Sequence, residues 1–147
     1  MGFSKIEKLR SICEKENIAL LYLFGSQEKR ALQILNGSQF EGKRDPLGDI
    51  DVGVVFSFDL NAIQKRYILY SQVFNELEDL FQEEKLDLVF LQECNAILQF
   101  EAIKGTCIYF KSEELREQFE MNVLRRLPDV KYLISLYQKE LLEPYQS

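Results

Sequence analysis

Two aspartates separated by one residue, Asp49 and Asp51, open an apolar segment that ends at Phe56. Because side chains alternate along a strand, both carboxylates project from one face, about 7 Å apart along the backbone. A third acid, Asp87, lies in a later apolar segment and stands beside the first two if the strands pair. Three such acids repel one another, and carboxylate oxygens are ligands that Mg²⁺ prefers. The pattern therefore predicts a site for two Mg²⁺ ions.

A matching phosphate site is predicted by a Gly-Ser pair, of which the sequence contains two, Gly25-Ser26 and Gly37-Ser38. Glycine lets the backbone approach a phosphate, serine supplies a hydroxyl, and the start of a following helix favours anions. The first pair directly follows the apolar run 18–24, whereas the second follows a segment of helical period. Only the first pair is then expected at the carboxyl edge of a sheet, so it is favoured as the phosphate-holding turn.

Carboxylates are the groups left to carry any catalysis, because the sequence contains no histidine. Its absence excludes Ser-His and Cys-His nucleophiles and HExxH metal sites. Two Mg²⁺ ions can clamp a nucleoside triphosphate, lower the pKa of an attacking hydroxyl and neutralise the pyrophosphate that leaves. An isolated Asp-x-Asp is more often a solvated strand edge, and an isolated Gly-Ser is more often a turn. Their order and spacing together favour one nucleotide site.

The charge balance argues against a long nucleic acid as partner. The 147 residues carry a formal net charge of -6, which repels a phosphate backbone. Three basic pairs, Lys29-Arg30, Lys43-Arg44 and Arg125-Arg126, can hold one triphosphate but not a duplex.

The three cysteines are widely spaced among apolar neighbours, which indicates reduced core residues. No apolar stretch approaches a membrane span, so the protein is predicted to be cytoplasmic.

The elements that must position these residues alternate between helices and strands. Apolar spacing predicts strands over 18–24, 49–56, 85–91 and 106–110, with helices over 4–17, 27–35, 61–81, 95–103 and 112–143, the last interrupted at Pro128. Residues 38–48 are predicted to form a loop. This order predicts a mixed α/β or α+β layer fold in a single domain, 1–147.

The helical region after residue 112 carries apolar residues on two faces. Tyr132, Leu136 and Leu142 lie off its main stripe. This second face is explained either by a partner, including another copy of the chain, or by packing on the sheet of the same chain.

A family resemblance rests on the segments ENIALLYLFGS, PLGDIDVGVVF and KLDLVFL, followed by NAILQFEAIKGTCIYF. Together they resemble the minimal nucleotidyltransferase (MNT) family of the DNA polymerase β superfamily over about residues 1–112, with 113–143 as C-terminal helices. The resemblance implies a mixed sheet of about four strands flanked by helices, and transfer of a nucleoside monophosphate from ATP with Mg²⁺. Carried over by position, Gly25 and Ser26 would hold the triphosphate. Asp49 and Asp51 would bind both metals, and Asp87 would bind the catalytic metal and help to activate the acceptor.

The resemblance also implies a partner. Family members are often encoded beside small helical HEPN proteins and act as antitoxins, some by adenylylating a tyrosine of that toxin. We therefore expect a protein adenylyltransferase that neutralises a HEPN-type toxin. The alternatives are a binding module that neutralises its partner by complex formation alone, and transfer to a small hydroxylated molecule. For the latter we expect the chain to be too short to contain the substrate-binding domain that such enzymes usually carry.

The sequence departs from the family pattern between its phosphate turn and its aspartates. Residues 27–48 separate Ser26 from Asp49, which is longer than usual, and Gly48 stands where the family commonly has Ser. Gly37-Ser38 stands at the usual spacing. We interpret this second pair as an inserted turn after a lengthened helix, with Lys43 and Arg44 reaching the triphosphate.

Overall fold

A four-stranded mixed sheet forms the centre of the computed structural model, which describes residues 4–37, 48–81 and 84–127. Its strands are β1 (Ile18–Phe24), β2 (Ile50–Phe56), β3 (Leu86–Phe90) and β4 (Thr106–Phe110). They lie in the order β3-β2-β1-β4. The central strand β1 pairs antiparallel with β2 and β4, whereas β2 and β3 run parallel. This arrangement confirms the predicted α+β fold with a mixed sheet.

Five α-helices flank the sheet in the described ranges. They are α1 (Lys5–Lys15), α2 (Glu28–Leu35), α3 (Arg66–Leu80), α4 (Ala96–Ile103) and α5 (Glu113–Arg126). Side chains that precede three of them accept a hydrogen bond from a first-turn amide: Ser4 for α1, Asn95 for α4 and Ser112 for α5. Such caps satisfy amides that have no partner within the helix, which fixes where each helix begins.

Each face of the sheet is covered by a different set of helices. Leu21 and Leu23 of β1 lie in a core that includes buried residues of α1, α2 and α3, together with Val52 of β2. Tyr22 and Phe24 point to the opposite face, where α4 and α5 pack over β1 and β4. Alternation along one buried strand therefore serves both cores.

The start of one helix and the end of one strand illustrate how boundaries differ from the sequence prediction. The predicted helix 61–81 begins only at Arg66, because Leu60–Ala62 form a 3-10 turn and Ile63 is extended. The Asp59 carboxyl accepts a hydrogen bond from the amide of Asn61 at 3.0 Å, a local bond that competes with helix formation. Strand β3 ends at Phe90 rather than Leu91, where a second 3-10 turn, Leu91–Glu93, begins.

Several predictions lie outside the described residues. They concern the loop 38–47, with Ser38, Lys43 and Arg44, and the helical region beyond Leu127, with its second apolar face. Across the described ranges, no helix is both long enough and apolar enough to cross a membrane.

Candidate active site

Two of the three predicted carboxylates are neighbours across the parallel strand pair. Asp51 of β2 lies directly opposite Asp87 of β3 in the register. Asp87 is exposed and Asp51 is partly buried, whereas Asp49 is exposed and stands one residue before β2 begins. The structure therefore brings Asp51 and Asp87 together across the ladder and keeps Asp49 at the start of the same strand.

The electrostatics of the site centre on Asp51. Burial raises the pKa of its carboxyl to about 6, and the charge of Asp87, a hydrogen bond with the Asp87 carboxyl and the charge of Asp49 add to the rise. Like charges this close disfavour a second ionisation, so without a cation a proton is retained at higher pH than usual. A cation placed among these oxygens would remove that penalty.

The first Gly-Ser pair lies against this carboxylate. Phe24, the last residue of β1, pairs with Asp51 of β2, so the chain turns at Gly25 beside the Asp51 side chain. Gly25 has a φ of +81°, and a Cβ atom added to it would lie 2.0 Å from Oδ2 of Asp51. A residue with a side chain would meet both backbone strain and a clash there, so this turn requires glycine.

The serine of that pair leads into a helix start. Ser26 is exposed in the turn before α2, and the amide of Glu28 donates to the carbonyl of Gly25 at 3.3 Å. Gln27, the residue that precedes α2, makes no side-chain capping bond. The serine hydroxyl and the first-turn amides thus directly follow the glycine that lies against Asp51, and the start of a helix favours anions.

The second Gly-Ser pair stands at the other end of α2. Gly37 has a φ of +76° just after the helix, and a Cβ atom there would meet none of the described residues within 4 Å. Its amide donates to the carbonyl of Ile34, which closes the helix at its carboxyl end. That end carries the negative pole of the helix dipole, which disfavours a phosphate.

One residue of the predicted basic pairs has a different role from the one its sequence suggested. We considered the Lys29-Arg30 pair able to hold a triphosphate, but Arg30 is only 4% exposed and forms an ion pair with Glu84. Lys29 is exposed. The spacing contained a signal for this outcome, since Arg30 stands four residues before the buried Ile34 on the stripe that faces the core.

Two further groups near the carboxylates were not singled out from the sequence. The hydroxyl of Tyr70 donates to the carbonyl of Leu88 at 3.1 Å, and burial together with the Asp87 charge raises the pKa of that tyrosine. The same charge contributes, after burial and Glu93, to a raised pKa of the Cys94 thiol. No local sequence pattern predicts these interactions, because they join residues of separate elements.

The donor chemistry of the site fits Mg²⁺ completed by a substrate. Among the described residues, no group of three or more histidine, cysteine or acidic side chains is arranged to hold a metal ion by itself. Mg²⁺ usually takes only one or two protein carboxylates and fills its octahedron with water and substrate phosphates. The adjacent Asp51 and Asp87 carboxylates, next to the Gly25 turn, supply that number of protein ligands.

Residues 28–114 match the family model described as polymerase beta, nucleotidyltransferase. This chain belongs to that nucleotidyltransferase family. The matched range contains Asp49, Asp51 and Asp87, and it begins two residues after Ser26.

Solved toxin–antitoxin structures share the fold of this nucleotidyltransferase. A mutant MntA-HpeT toxin–antitoxin structure is 14% identical, with 97% of this chain and 98% of that chain covered and a TM-score of 0.60. A toxin–antitoxin structure with AMP-PNP is 16% identical over 97% and 98% of the two chains, with a TM-score of 0.55. The structure of a tri-AMPylated Shewanella oneidensis HEPN toxin with its MNT antitoxin is 16% identical over 97% of each chain, with a TM-score of 0.52. No curated protein matches the chain.

Proposed function

We propose that this nucleotidyltransferase moves AMP from ATP to a hydroxyl group of a HEPN-type partner protein and thereby acts as an antitoxin. The observation that carries the proposal is the placement of Asp51 directly beside both Asp87 and the Gly25 turn. A carboxylate pair for a cation and a turn for a phosphate thus meet at one point, as phosphoryl-transfer sites require.

Each site residue has a part in this reaction. Gly25 and Ser26 hold the triphosphate through backbone amides and a hydroxyl, and Asp49 and Asp51 would hold both Mg²⁺ ions. Asp87, exposed on the edge strand, would hold the catalytic Mg²⁺ and help to activate the acceptor hydroxyl. Mg²⁺ bound there would lower the pKa of the acceptor and neutralise charge on pyrophosphate. The acceptor oxygen bonds to the α-phosphorus, the bond to pyrophosphate breaks, and the hydroxyl proton leaves to solvent.

The proposal of a HEPN-type acceptor is based on the solved structures that share this fold. The structures described above are toxin–antitoxin structures, and one of them contains a tri-AMPylated HEPN toxin in complex with its MNT antitoxin. Alignment over 97% of both chains in that case means that the likeness extends beyond a shared sheet. We extend partner and acceptor to this chain on that basis.

Labelled ATP tests the proposal directly. Purified protein is incubated with α-³²P-ATP, Mg²⁺ and the product of the adjacent gene, and we expect the label on that product. Asp49→Asn and Asp87→Asn should each lower the labelling rate about 100-fold or more, since positioning and charge neutralisation carry most of such catalysis. Asp79→Asn, on the exposed side of α3, is the matched control and should label at the wild-type rate. Unchanged labelling by Asp49→Asn would sink the assignment.

Growth measurements separate catalysis from neutralisation by complex formation alone. Cells that express the partner should be protected by the wild-type chain and by Asp79→Asn, but not by Asp49→Asn at equal protein level. Protection by Asp49→Asn would favour a non-catalytic antitoxin. Labelling of a small hydroxylated molecule in the absence of any partner protein would instead favour small-molecule transfer.

A further inference from the structure

A buried arginine stands one turn of helix beyond the candidate phosphate turn. Arg30 of α2 is 4% exposed, and its Nη1 donates to Oε1 of Gln27 at 3.1 Å. Its Nη2 forms an ion pair with the Glu84 carboxylate. Charged side chains are rarely buried unless they are paired, so the two partners of this guanidinium group indicate its role.

Those partners belong to the segments that carry the site residues. Gln27 directly follows Ser26, and its side chain packs on Gly48, where an added Cβ atom would lie 2.6 Å from Nε2 of Gln27. Gly48 is the residue before Asp49. Arg30 therefore supports the contact between the phosphate turn and the start of β2.

The ion pair also involves the segment that leads to the third carboxylate. Glu84 stands three residues before Asp87 and two residues before β3 begins. The starts of β2 and β3 are themselves joined, because the amide of Ile50 donates to the carbonyl of Lys85 at 2.8 Å. The turn and both strand starts thus meet around one side chain.

Stability alone gives a weak reason for this arrangement. Replacing a buried ion pair by apolar residues of similar size is often neutral or stabilising, because desolvation of both charges offsets their attraction. Arginine instead provides directional hydrogen bonds, since its planar guanidinium group holds two partners at fixed angles. Fixed angles matter here because catalytic groups must be held within about 0.5 Å of their productive positions.

We propose that Arg30 is a positioning residue that fixes the Gly25-Ser26 turn relative to the strand starts that carry the site aspartates. The inference rests on the proposed nucleotidyl transfer at that site. Arg30 acts through Gln27 and Glu84 and contacts no substrate. Without it, ATP still binds the turn, but its α-phosphate is no longer aligned with the carboxylates.

The test replaces both charges of the pair together. In Arg30→Met/Glu84→Met both charges are replaced by apolar side chains, which should preserve folding. The control is Arg66→Met/Glu93→Met, which removes an ion pair whose side chains are 44% and 35% exposed at the start of α3. Arg30→Lys keeps the charge but loses the planar guanidinium group, and it should fall between the wild type and the double variant.

Two readouts are taken on each variant: the kinetics of ATP-dependent labelling, and hydrogen exchange of the amides in 25–28 and 49–51. We expect the Arg30/Glu84 double variant to lose about 10- to 100-fold in kcat, with KM for ATP changed less than about threefold. Exchange in 25–28 should rise about tenfold or more, while the melting temperature stays close to that of the control.

The outcomes distinguish this inference from the proposed function. Wild-type kcat and wild-type exchange in the Arg30/Glu84 double variant would overturn the positioning role. A lower melting temperature with an unchanged kcat would also overturn it, since the pair would then be structural. If the wild type itself transfers no label, the proposed function fails, and the exchange of 25–28 still decides whether Arg30 fixes the turn.

Discussion

The carboxyl group of Asp51 interacts with three other parts of the chain. It lies against Gly25 after β1, and Asp51 is opposite Asp87 of β3 in the strand register. The charge of Asp49, one residue before β2, also contributes to its raised pKa. Burial and these neighbours raise its pKa to about 6. In the absence of a metal, its ionisation therefore costs folding free energy at neutral pH, and Mg²⁺ binding would offset that cost.

Removing the charge of Asp51 should stabilise the metal-free protein at high pH. A carboxyl group whose pKa is raised on folding contributes stability below its unfolded pKa, near 4, and loses that contribution as the pH rises through about 6. In EDTA, Asp51→Asn should therefore abolish this loss of stability. At pH 8 the free energy of unfolding of Asp51→Asn should exceed that of the wild type by about 1 kcal/mol after allowance for solvent screening. This difference corresponds to about 2–4 °C in melting temperature.

Thermal melts between pH 4 and pH 8 measure this effect. Asp79→Asn serves as the control, and its melting curve should follow that of the wild type at each pH. Addition of Mg²⁺ at pH 8 should raise the melting temperature of the wild type more than that of Asp51→Asn. An Asp51→Asn protein less stable than the wild type at pH 8 in EDTA would contradict the raised pKa of this carboxyl group.

Among the elements, α2 decides which Gly-Ser pair can meet the carboxylates. It begins three residues after Gly25 and ends two residues before Gly37, and both glycines have positive φ. Of the two, the first glycine lies against Asp51, whereas none of the described residues lies within 4 Å of a Cβ atom added at the second. The preceding strand β1, rather than the spacing to Asp49, is the feature that orients the first pair toward Asp51.

Alanine at each end of α2 provides a matched test. Gly37→Ala should lose about 1–2 kcal/mol in the free energy of unfolding, because it places a side chain in the left-handed region, and Gly25→Ala should lose more, because its Cβ atom also meets Asp51. Only Gly25→Ala adds a Cβ atom at 2.0 Å from Asp51, so only this variant should lose about 100-fold in ATP-dependent labelling. Loss of labelling in Gly37→Ala alone would assign the phosphate turn to the second pair.

The sequence predicted the elements where local patterns and packing agree. Strands β1 and β4 have the predicted bounds, because continuous apolar runs end at Gly25 and at polar residues. The start of α3 was misplaced because the Asp59 side chain bonds its neighbouring backbone, a choice that apolar spacing does not report. The Arg30–Glu84 pair was missed for another reason: it joins residues 54 positions apart, and no local period encodes such a contact.

At the scale of the whole molecule, the net charge and the packing of the helices bear on which class of acceptor can bind. Helices α4 and α5 pack over β1 and β4, while Asp87 remains exposed on the edge strand β3. An acceptor can therefore approach from the β3 side. The formal net charge of -6 disfavours a long polyanion at that approach, because no counterion release would drive its binding.

Protein rather than RNA should therefore carry the label. Wild-type chain is incubated with α-³²P-ATP and Mg²⁺ in a mixture of the partner protein and total tRNA, and the products are divided between protease and ribonuclease digestion. We expect protease-sensitive, ribonuclease-resistant label. Raising the salt from about 50 to about 200 mM should change the rate less than about threefold, whereas a reaction that depends on many phosphate contacts would fall by orders of magnitude. Ribonuclease-sensitive label that survives Asp79→Asn and disappears in Asp49→Asn would show an RNA acceptor and overturn the protein target.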